Sequence, residues 1–257
     1  MLDFYFITGF MGTGKSSVLQ YLHSHSQKTL LNSNISIFSI KDLEEKIIPA
    51  KNQKNIWIFI DVDSYLSSKF NCSISDFFSQ YGEEQFRKQE HIHLQDIFTI
   101  IRNYHRCYPH LSISLVMALG GGCIFEEKAL IEICSFAKEA QTSRCCNLHA
   151  PLSILEQRIN KDGIESRPLG TQLEDKFRSR SQKWSEITFI MQQVGISIHT
   201  IDGSPSIDVV GLNIGKYIPT NPKKNIRLKH QHNQRYSVLQ TGLKPMNIQH
   251  RIREITW

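Results

Sequence analysis

Short apolar runs alternate with longer amphipathic stretches along most of the chain. Residues 2–8 are almost uninterruptedly apolar, which is typical of a parallel strand buried on both faces. By the same criterion the predicted strands are Leu2–Thr8, Ile56–Ile60, Ile113–Leu119, Arg144–Leu148 and Gly195–Ile201, with a weaker candidate at Ile35–Ile40. The predicted helices are Lys15–His25, Lys41–Ile48, Ser64–Phe70, Ser75–Tyr81, Glu83–Tyr104, Glu126–Ala140, Pro151–Asn160, Leu173–Gln192 and Ser206–Tyr217. This alternation indicates an α/β protein with a parallel sheet covered on both faces, whose ligands bind beyond the carboxyl ends of the strands.

The formal charge of +6 is concentrated at the C-terminal end of the 257 residues. Residues 221–257 hold eight Lys or Arg and one acid, a charge of +7, so residues 1–220 carry about −1. A nearly neutral body gives no support for nucleic-acid binding. We therefore expect one compact domain, 1–220, and a basic extension, 221–257. The simpler interpretation of this extension is a disordered, solvated segment, and the alternative is contact with nucleic acid or an acidic partner.

The remaining composition predicts neither a membrane protein nor a metal site built from cysteines or histidines. The chain has no run of about 20 apolar residues, the length that a membrane-spanning helix needs, and no basic leader precedes the first strand. The six cysteines lack C-x-x-C spacing and are expected to be the reduced thiols of a cytoplasmic protein. His91 and His93, two residues apart on a predicted helix, do not share a face and predict no metal site.

Residues 9–16, Gly-Phe-Met-Gly-Thr-Gly-Lys-Ser, match the pattern G-x-x-x-x-G-K-[ST] in full. They follow a predicted buried strand and open a predicted helix, which is the context that a phosphate-binding loop needs. The glycines let backbone N–H groups turn toward phosphate oxygens, and the helix N-terminus adds positive potential. Lys15 can reach the β- and γ-phosphates, and the Ser16 hydroxyl can ligate Mg²⁺. The motif predicts nucleoside triphosphate binding and leaves the acceptor open.

Two carboxylates and an arginine are the first candidates for the acceptor side. Asp61 and Asp63 close the strand 56–60. On an extended backbone their side chains point to opposite faces, so one could serve the metal and the other a second ligand. Arg87 lies one turn into a predicted helix, and its planar guanidinium suits bidentate binding of a carboxylate.

Three further features extend this acceptor side. Gly120, Gly121 and Gly122 follow the strand 113–119 and leave backbone open to close approach by a ligand. Arg167 lies in a polar loop, and Arg180 on the helix that follows it. Arginines on a closing loop can stabilise the charge that develops on a transferred phosphoryl group.

Taken in order, these motifs resemble the shikimate kinases over roughly residues 1–218. The series is the phosphate loop, D-x-D at 61–63, G-E-x-x-F-R at 82–87, G-G-G at 120–122, R-P-L at 167–169 and R-x-x-x-W at 180–184. The resemblance implies a P-loop kinase of the nucleoside-monophosphate-kinase-like type, with a five-stranded parallel sheet and a mobile lid at 161–173. It also implies phosphorylation of the 3-hydroxyl of shikimate by MgATP, on the way to chorismate and the aromatic amino acids, by a cytoplasmic monomer.

The resemblance implies a role for each candidate residue. Asp63 would bind substrate hydroxyls and accept the attacking proton, with Lys15 and Arg167 as its catalytic partners. Asp61 and Ser16 would serve the metal. The substrate-binding residues would be Asp63, Arg87, Gly121, Gly122 and Arg180. The ATP-binding residues would be Gly12, Thr13, Gly14, Lys15, Ser16, Ser17, Arg158 and Arg167, with Arg158 stacking near adenine.

The sequence also departs from the family pattern. Gly170 stands where a second leucine usually follows R-P-L, and the R-x-P-x-Y pattern lacks its proline. Roughly thirty extra residues, 28–55, form an insertion, in which Asp42 is a weaker rival for the acidic position. Two alternatives therefore stay open. One is a P-loop kinase of another small hydroxylated acid or a nucleotide, and the other is a catalytically impaired relative that binds its ligands without phosphoryl transfer.

Overall fold

The computed structural model describes residues 1–30, 35–161 and 173–218. Its strands form one parallel sheet in the order β2-β3-β4-β1-β5-β6. The predicted lid, apart from its end residues, and the basic extension lie outside the described residues. The strands are β1 Leu2–Gly9, β2 Ile35–Phe38, β3 Asn55–Asp61, β4 Ser112–Ala118, β5 Thr142–His149 and β6 Ser197–Asp202.

Helices connect these strands and cover both faces of the sheet, as expected for parallel strands. They are α1 Lys15–Leu30, α2 Ile40–Glu44, α3 Val62–Phe70, α4 Ile74–Cys107, α5 Glu127–Glu139, α6 Leu152–Lys161, α7 Leu173–Gln193 and α8 Ile207–Ile214, with a 3₁₀ turn at Cys123–Phe125. No helix among the described residues has both the length and the apolar character needed to cross a bilayer. The predicted α/β class with a parallel sheet is confirmed.

The prediction of five strands is wrong, because the described sheet has six. Strand β2 lies inside the 28–55 insertion and pairs in parallel with β3, from Ile35 opposite Asn55 to Phe38 opposite Ile58. Helix α2 follows it and packs on α4, where the Tyr104 hydroxyl donates to the Ile47 carbonyl at 2.9 Å. The insertion therefore extends one edge of the sheet and leaves the central strands in place.

The order of the strands brings three predicted site segments to one edge of the sheet. Strand β4 lies between β1 and β3, and its Ala118 is level with Ile7 of β1 and Asp61 of β3. The phosphate loop, the D-x-D segment and the triple glycine follow these three strand ends. These three segments are therefore neighbours in space at the carboxyl ends of the strands, which is where the sequence predicts that ligands bind.

Alternate side chains of β1 pack on opposite faces of the sheet. Phe4 is fully buried against α4 and α5, where the rings of Phe98 and Phe136 stack with centroids 4.2 Å apart. Tyr5 and Ile7 belong to the cluster on the other face, with side chains of α1 and α8. This two-faced burial explains the nearly continuous apolar pattern of the first strand.

Helix α4 combines two helices that were predicted separately. Gly82, with φ 79° and ψ 170°, interrupts it between Tyr81 and Glu83. A residue with a Cβ is strained at a positive φ, so glycine suits this break. Beyond it the helix runs to Cys107, three residues past the predicted end, and Tyr104 is buried in its last turns.

We predict that Phe98→Ala lowers the free energy of unfolding by about 3–5 kcal/mol, because it leaves a cavity between two rings. Leu212→Ala is the control, since that side chain is 61% exposed on α8; it should change stability by about 0.5 kcal/mol or less. Urea unfolding followed by circular dichroism measures both. Equal losses would contradict the assignment of Phe98 to the core.

Candidate active site

A cavity of about 590 Å³ opens at the carboxyl edge of β1, β3 and β4. It is large enough for small-molecule ligands. Most of the predicted site residues line it together: Gly12, Gly14, Lys15, Ser16, Ser17, Asp63, Arg87, Gly121, Gly122, Arg158 and Arg180. Of the others, Thr13 and Asp61 do not line the cavity, and Arg167 lies outside the described residues.

The phosphate loop takes the shape that its glycines predict. Gly12 and Gly14 have φ values of 77° and 88°, in the left-handed region that favours glycine. Between them the Thr13 side chain turns inward and its hydroxyl donates to the Phe10 carbonyl at 2.7 Å. The Thr13 side chain therefore fastens the loop from behind, and the role of Thr13 in ATP binding stays a prediction.

Lys15 lies under the loop, with its side chain largely buried. Its ammonium donates to the carbonyls of Gly9 at 3.0 Å and Phe10 at 3.2 Å. The backbone of Gly121 is close, since a Cβ placed there would be 3.7 Å from Nζ. The triple glycine therefore brings its backbone next to the phosphate-loop lysine.

Arg158, on α6, joins the phosphate loop to the segment between β6 and α8. Its Nη1 donates to the carbonyls of Gly12 at 3.3 Å and Gly203 at 2.8 Å, and its Nη2 to Ser204 at 2.8 Å. These bonds fix the guanidinium as one wall of the cavity. Stacking of Arg158 near adenine stays a prediction.

The two aspartates have different positions, although not for the predicted reason. The chain turns into α3 at Val62, so they do not alternate along an extended strand. Asp61 caps this helix, and its Oδ1 accepts from the Ser64 amide at 2.9 Å. Asp63, in the first turn, lines the cavity, and a Cβ placed on Gly120 would lie 2.9 Å from its Oδ1. Of the two aspartates, Asp61 therefore caps the helix and Asp63 lines the cavity.

The second carboxylate oxygen of Asp61, Oδ2, could bind a hard cation. This oxygen is buried and has no hydrogen-bond partner among the described residues. Carboxylate and hydroxyl oxygens, as on Asp61 and Ser16, are ligands that Mg²⁺ accepts. Among the described residues no group of three His, Cys, Asp or Glu could hold a metal. Asp42, the rival acid, forms a capping box with Ser39 on α2 and does not line the cavity.

Arg87 and Arg180 meet at Gly122. A Cβ placed on this glycine would lie 2.7 Å from Nη2 of Arg180 and closer still to Nη2 of Arg87. Arg180 lies over the rings of Phe10 and Phe125, 5.2 and 5.5 Å from their centroids, and pairs with no carboxylate among the described residues. Burial and the neighbouring Arg87 lower its pKa. The site therefore contains a partly buried cation whose charge an anionic ligand can neutralise.

Glu90 is a site residue that the sequence analysis missed. Its side chain is 1% exposed, and its Oε2 pairs with Nη1 of Arg87 at 2.6 Å. The other oxygen, Oε1, is buried without a hydrogen-bond partner and faces Gly120 beside Asp63. Burial raises the pKa of Glu90 to about 7, although Arg87 opposes the shift. The i, i+3 spacing from Arg87 on one helix was the available signal.

A phosphate loop and a pair of converging arginines on one cavity define a P-loop kinase of a small anionic molecule. The shikimate kinase family model matches residues 52–212, well over half of the chain, and the chain belongs to this family. The matched range excludes the phosphate loop at 9–16, which lies before the insertion. The predicted family and enzyme class are confirmed.

Individual relatives agree with this assignment. The shikimate kinases of Staphylococcus aureus strains MSSA476 and JH9 are 28% identical over 188 residues, which cover 71% of this chain and 79% of theirs. The solved structure of the shikimate kinase from Acinetobacter baumannii in complex with shikimate is 19% identical, with a TM-score of 0.51. It covers 87% of this chain and 97% of that one, and it shows that the fold is shared.

We predict that the wild type loses stability relative to the Glu90→Gln variant as pH rises from about 4.5 to 7. The pKa of Glu90 is raised from 4.5 to about 7 by folding, so the folded state binds its proton more tightly. This contribution is complete below pH 4.5 and is lost as pH rises through 7. Glutamine carries no such proton. Urea unfolding across this range measures the difference, and parallel curves would contradict it.

Proposed function

We propose that this chain transfers the γ-phosphoryl group of ATP to the 3-hydroxyl of shikimate, forming shikimate 3-phosphate and ADP. The observation that carries the proposal is the meeting of Arg87 and Arg180 at Gly122, inside the cavity that Lys15 and Asp63 also line. Family membership supports the same acceptor. The carboxylate of a hydroxylated acid can pair with the two arginines of this cavity, and a hydroxyl group can bond to Asp63.

The arginines would hold the carboxylate of the acceptor. Arg180 has no acid partner among the described residues, so a bound carboxylate gains its full attraction. Arg87 is already paired with Glu90 and is held as a fixed donor next to Gly122. A carboxylate fixed at one end orients the ring hydroxyls at the other, and such positioning is a large part of catalysis of phosphoryl transfer.

Asp63 would act as the proton acceptor. As the bond between the hydroxyl oxygen and the γ-phosphorus forms and the bond to the β,γ-bridging oxygen breaks, the hydroxyl proton passes to the Asp63 carboxylate. Lys15 would exchange its bonds to the Gly9 and Phe10 carbonyls for bonds to phosphate oxygens. The amides of Gly12, Gly14 and Ser16 would hold the remaining phosphate oxygens.

Ser16 and Asp61 would supply the protein oxygens for Mg²⁺, whose chemistry is to neutralise the charge between the β- and γ-phosphates. The buried, unpartnered Oδ2 of Asp61 supports this assignment. Arg167 as a catalytic lid arginine, a monomeric state and a cytoplasmic location stay predictions.

We predict that the protein releases ADP from MgATP when shikimate is present, and that Asp63→Asn lowers kcat by about 10²-fold or more. The KM for ATP should change little, because Asp63 lies on the acceptor side of the cavity. A coupled assay of ADP release measures both constants. Turnover of gluconate or a nucleoside monophosphate with no turnover of shikimate would contradict the acceptor, and silence with every acceptor would indicate a binding protein.

We also predict that Gly122→Ala raises the KM for shikimate about tenfold or more while the KM for ATP stays within about twofold. The new methyl group displaces the ends of two arginine side chains, which can move without disturbing the backbone. The melting temperature should therefore stay close to that of the wild type. An unchanged KM for shikimate would contradict the assignment of this arginine pair to the carboxylate.

A further inference from the structure

An ion pair joins the two helices that hold the paired arginines. Nζ of Lys176 on α7 lies 2.5 Å from Oε2 of Glu83 on α4, and the two side chains are 24% and 39% exposed. Lys176 precedes Arg180 by four residues, and Glu83 precedes Arg87 by four. The pair therefore lies one helical turn before each arginine.

The arginines need such a connection because their charges repel each other. Arg87 is one of the causes that lower the pKa of Arg180. Among the described residues Arg180 makes no ion pair and lies over two aromatic rings, whereas Arg87 pairs with Glu90 and Glu83. Repulsion between two partly buried guanidinium groups favours separation of α7 from α4. A bridge between the helices opposes that separation.

Glu83 is suited to bridge both helices. It follows the break at Gly82 and is therefore the first residue of the second half of α4. Its Oε1 lies 3.4 Å from Nη2 of Arg87, while its Oε2 contacts Lys176. Although burial opposes ionisation, Lys176 and then Arg87 lower the pKa of Glu83, so the carboxylate stays charged at neutral pH.

We propose that Lys176 is a positioning residue, which through Glu83 holds α7 against α4 and so keeps Arg180 beside Arg87 for the acceptor carboxylate. This inference rests on the proposed function. Lys176 lies outside the motifs by which the sequence resembles the family, and it touches neither the acceptor pocket at Gly122 nor the phosphate loop. Its effect should therefore appear in the binding of the acceptor and not in the transfer step.

The test compares Lys176→Met, Glu83→Gln, their double variant and Lys176→Arg. The matched control is Arg178→Met, which breaks the exposed pair of Arg178 and Glu174 on the same helix, with side chains 71% and 68% exposed. We expect Lys176→Met and Glu83→Gln each to raise the KM for shikimate about fivefold, with kcat and the KM for ATP unchanged. The double variant should be no worse than either single variant. Lys176→Arg and the control should match the wild type.

A ligand-free measurement separates this inference from the proposed function. Hydrogen exchange of the backbone amides at 177–184 should accelerate in Lys176→Met and Glu83→Gln and not in Arg178→Met. If the wild type ignores shikimate, the proposed function fails, and the exchange rates still test the bridge. Exchange equal to the control, a KM unchanged by Lys176→Met, or additive effects in the double variant would each overturn the inference.

Discussion

Two partly buried guanidinium groups that meet at one glycine form the constraint on which this site depends. Arg87 and Arg180 come from different helices and approach each other at Gly122, where their like charges repel. Their arrangement needs nearby acids that neutralise part of the positive charge and leave the rest available to bind an anion. Glu90 and Glu83 pair with Arg87, and no described acid pairs with Arg180. An anionic acceptor would neutralise the remaining positive charge of Arg180.

The parallel sheet makes that constraint possible. Because β1, β3 and β4 are neighbours with level ends, the phosphate loop, Asp63 and the triple glycine reach one cavity without long connections. The segment predicted to be an insertion adds its strand at the far edge, where β2 pairs only with β3. Three of the helices that follow, α3, α4 and α7, then supply the acid and both arginines. The cavity is thus built from the strand ends in the centre and from helices at its walls.

The sequence predicted the parts of this site that depend on local geometry. The loop at 9–16 and its glycines follow from a fixed spacing, and the arginines follow from motif order. Glu90 was missed: its i, i+3 spacing from Arg87 allows an ion pair, but the burial that gives this pair its role depends on tertiary structure. The argument for Asp61 and Asp63 used a strand periodicity, whereas Asp61 already caps a helix. The sixth strand was visible as a weak apolar run at 35–40, but its pairing with β3 depends on tertiary structure.

Lys15 and Arg87 already have partners within the protein, and these partners set part of the cost of binding. Lys15 donates to two loop carbonyls, and Arg87 donates to Glu90, so each ligand must replace an existing partner or add to it. Replacement makes the net gain smaller than the gross attraction, since the displaced carbonyls and carboxylate must find other partners. Arg180 has no such partner among the described residues. It therefore contributes the largest unopposed attraction for a carboxylate, and the position of α7 controls how much of that attraction the acceptor receives.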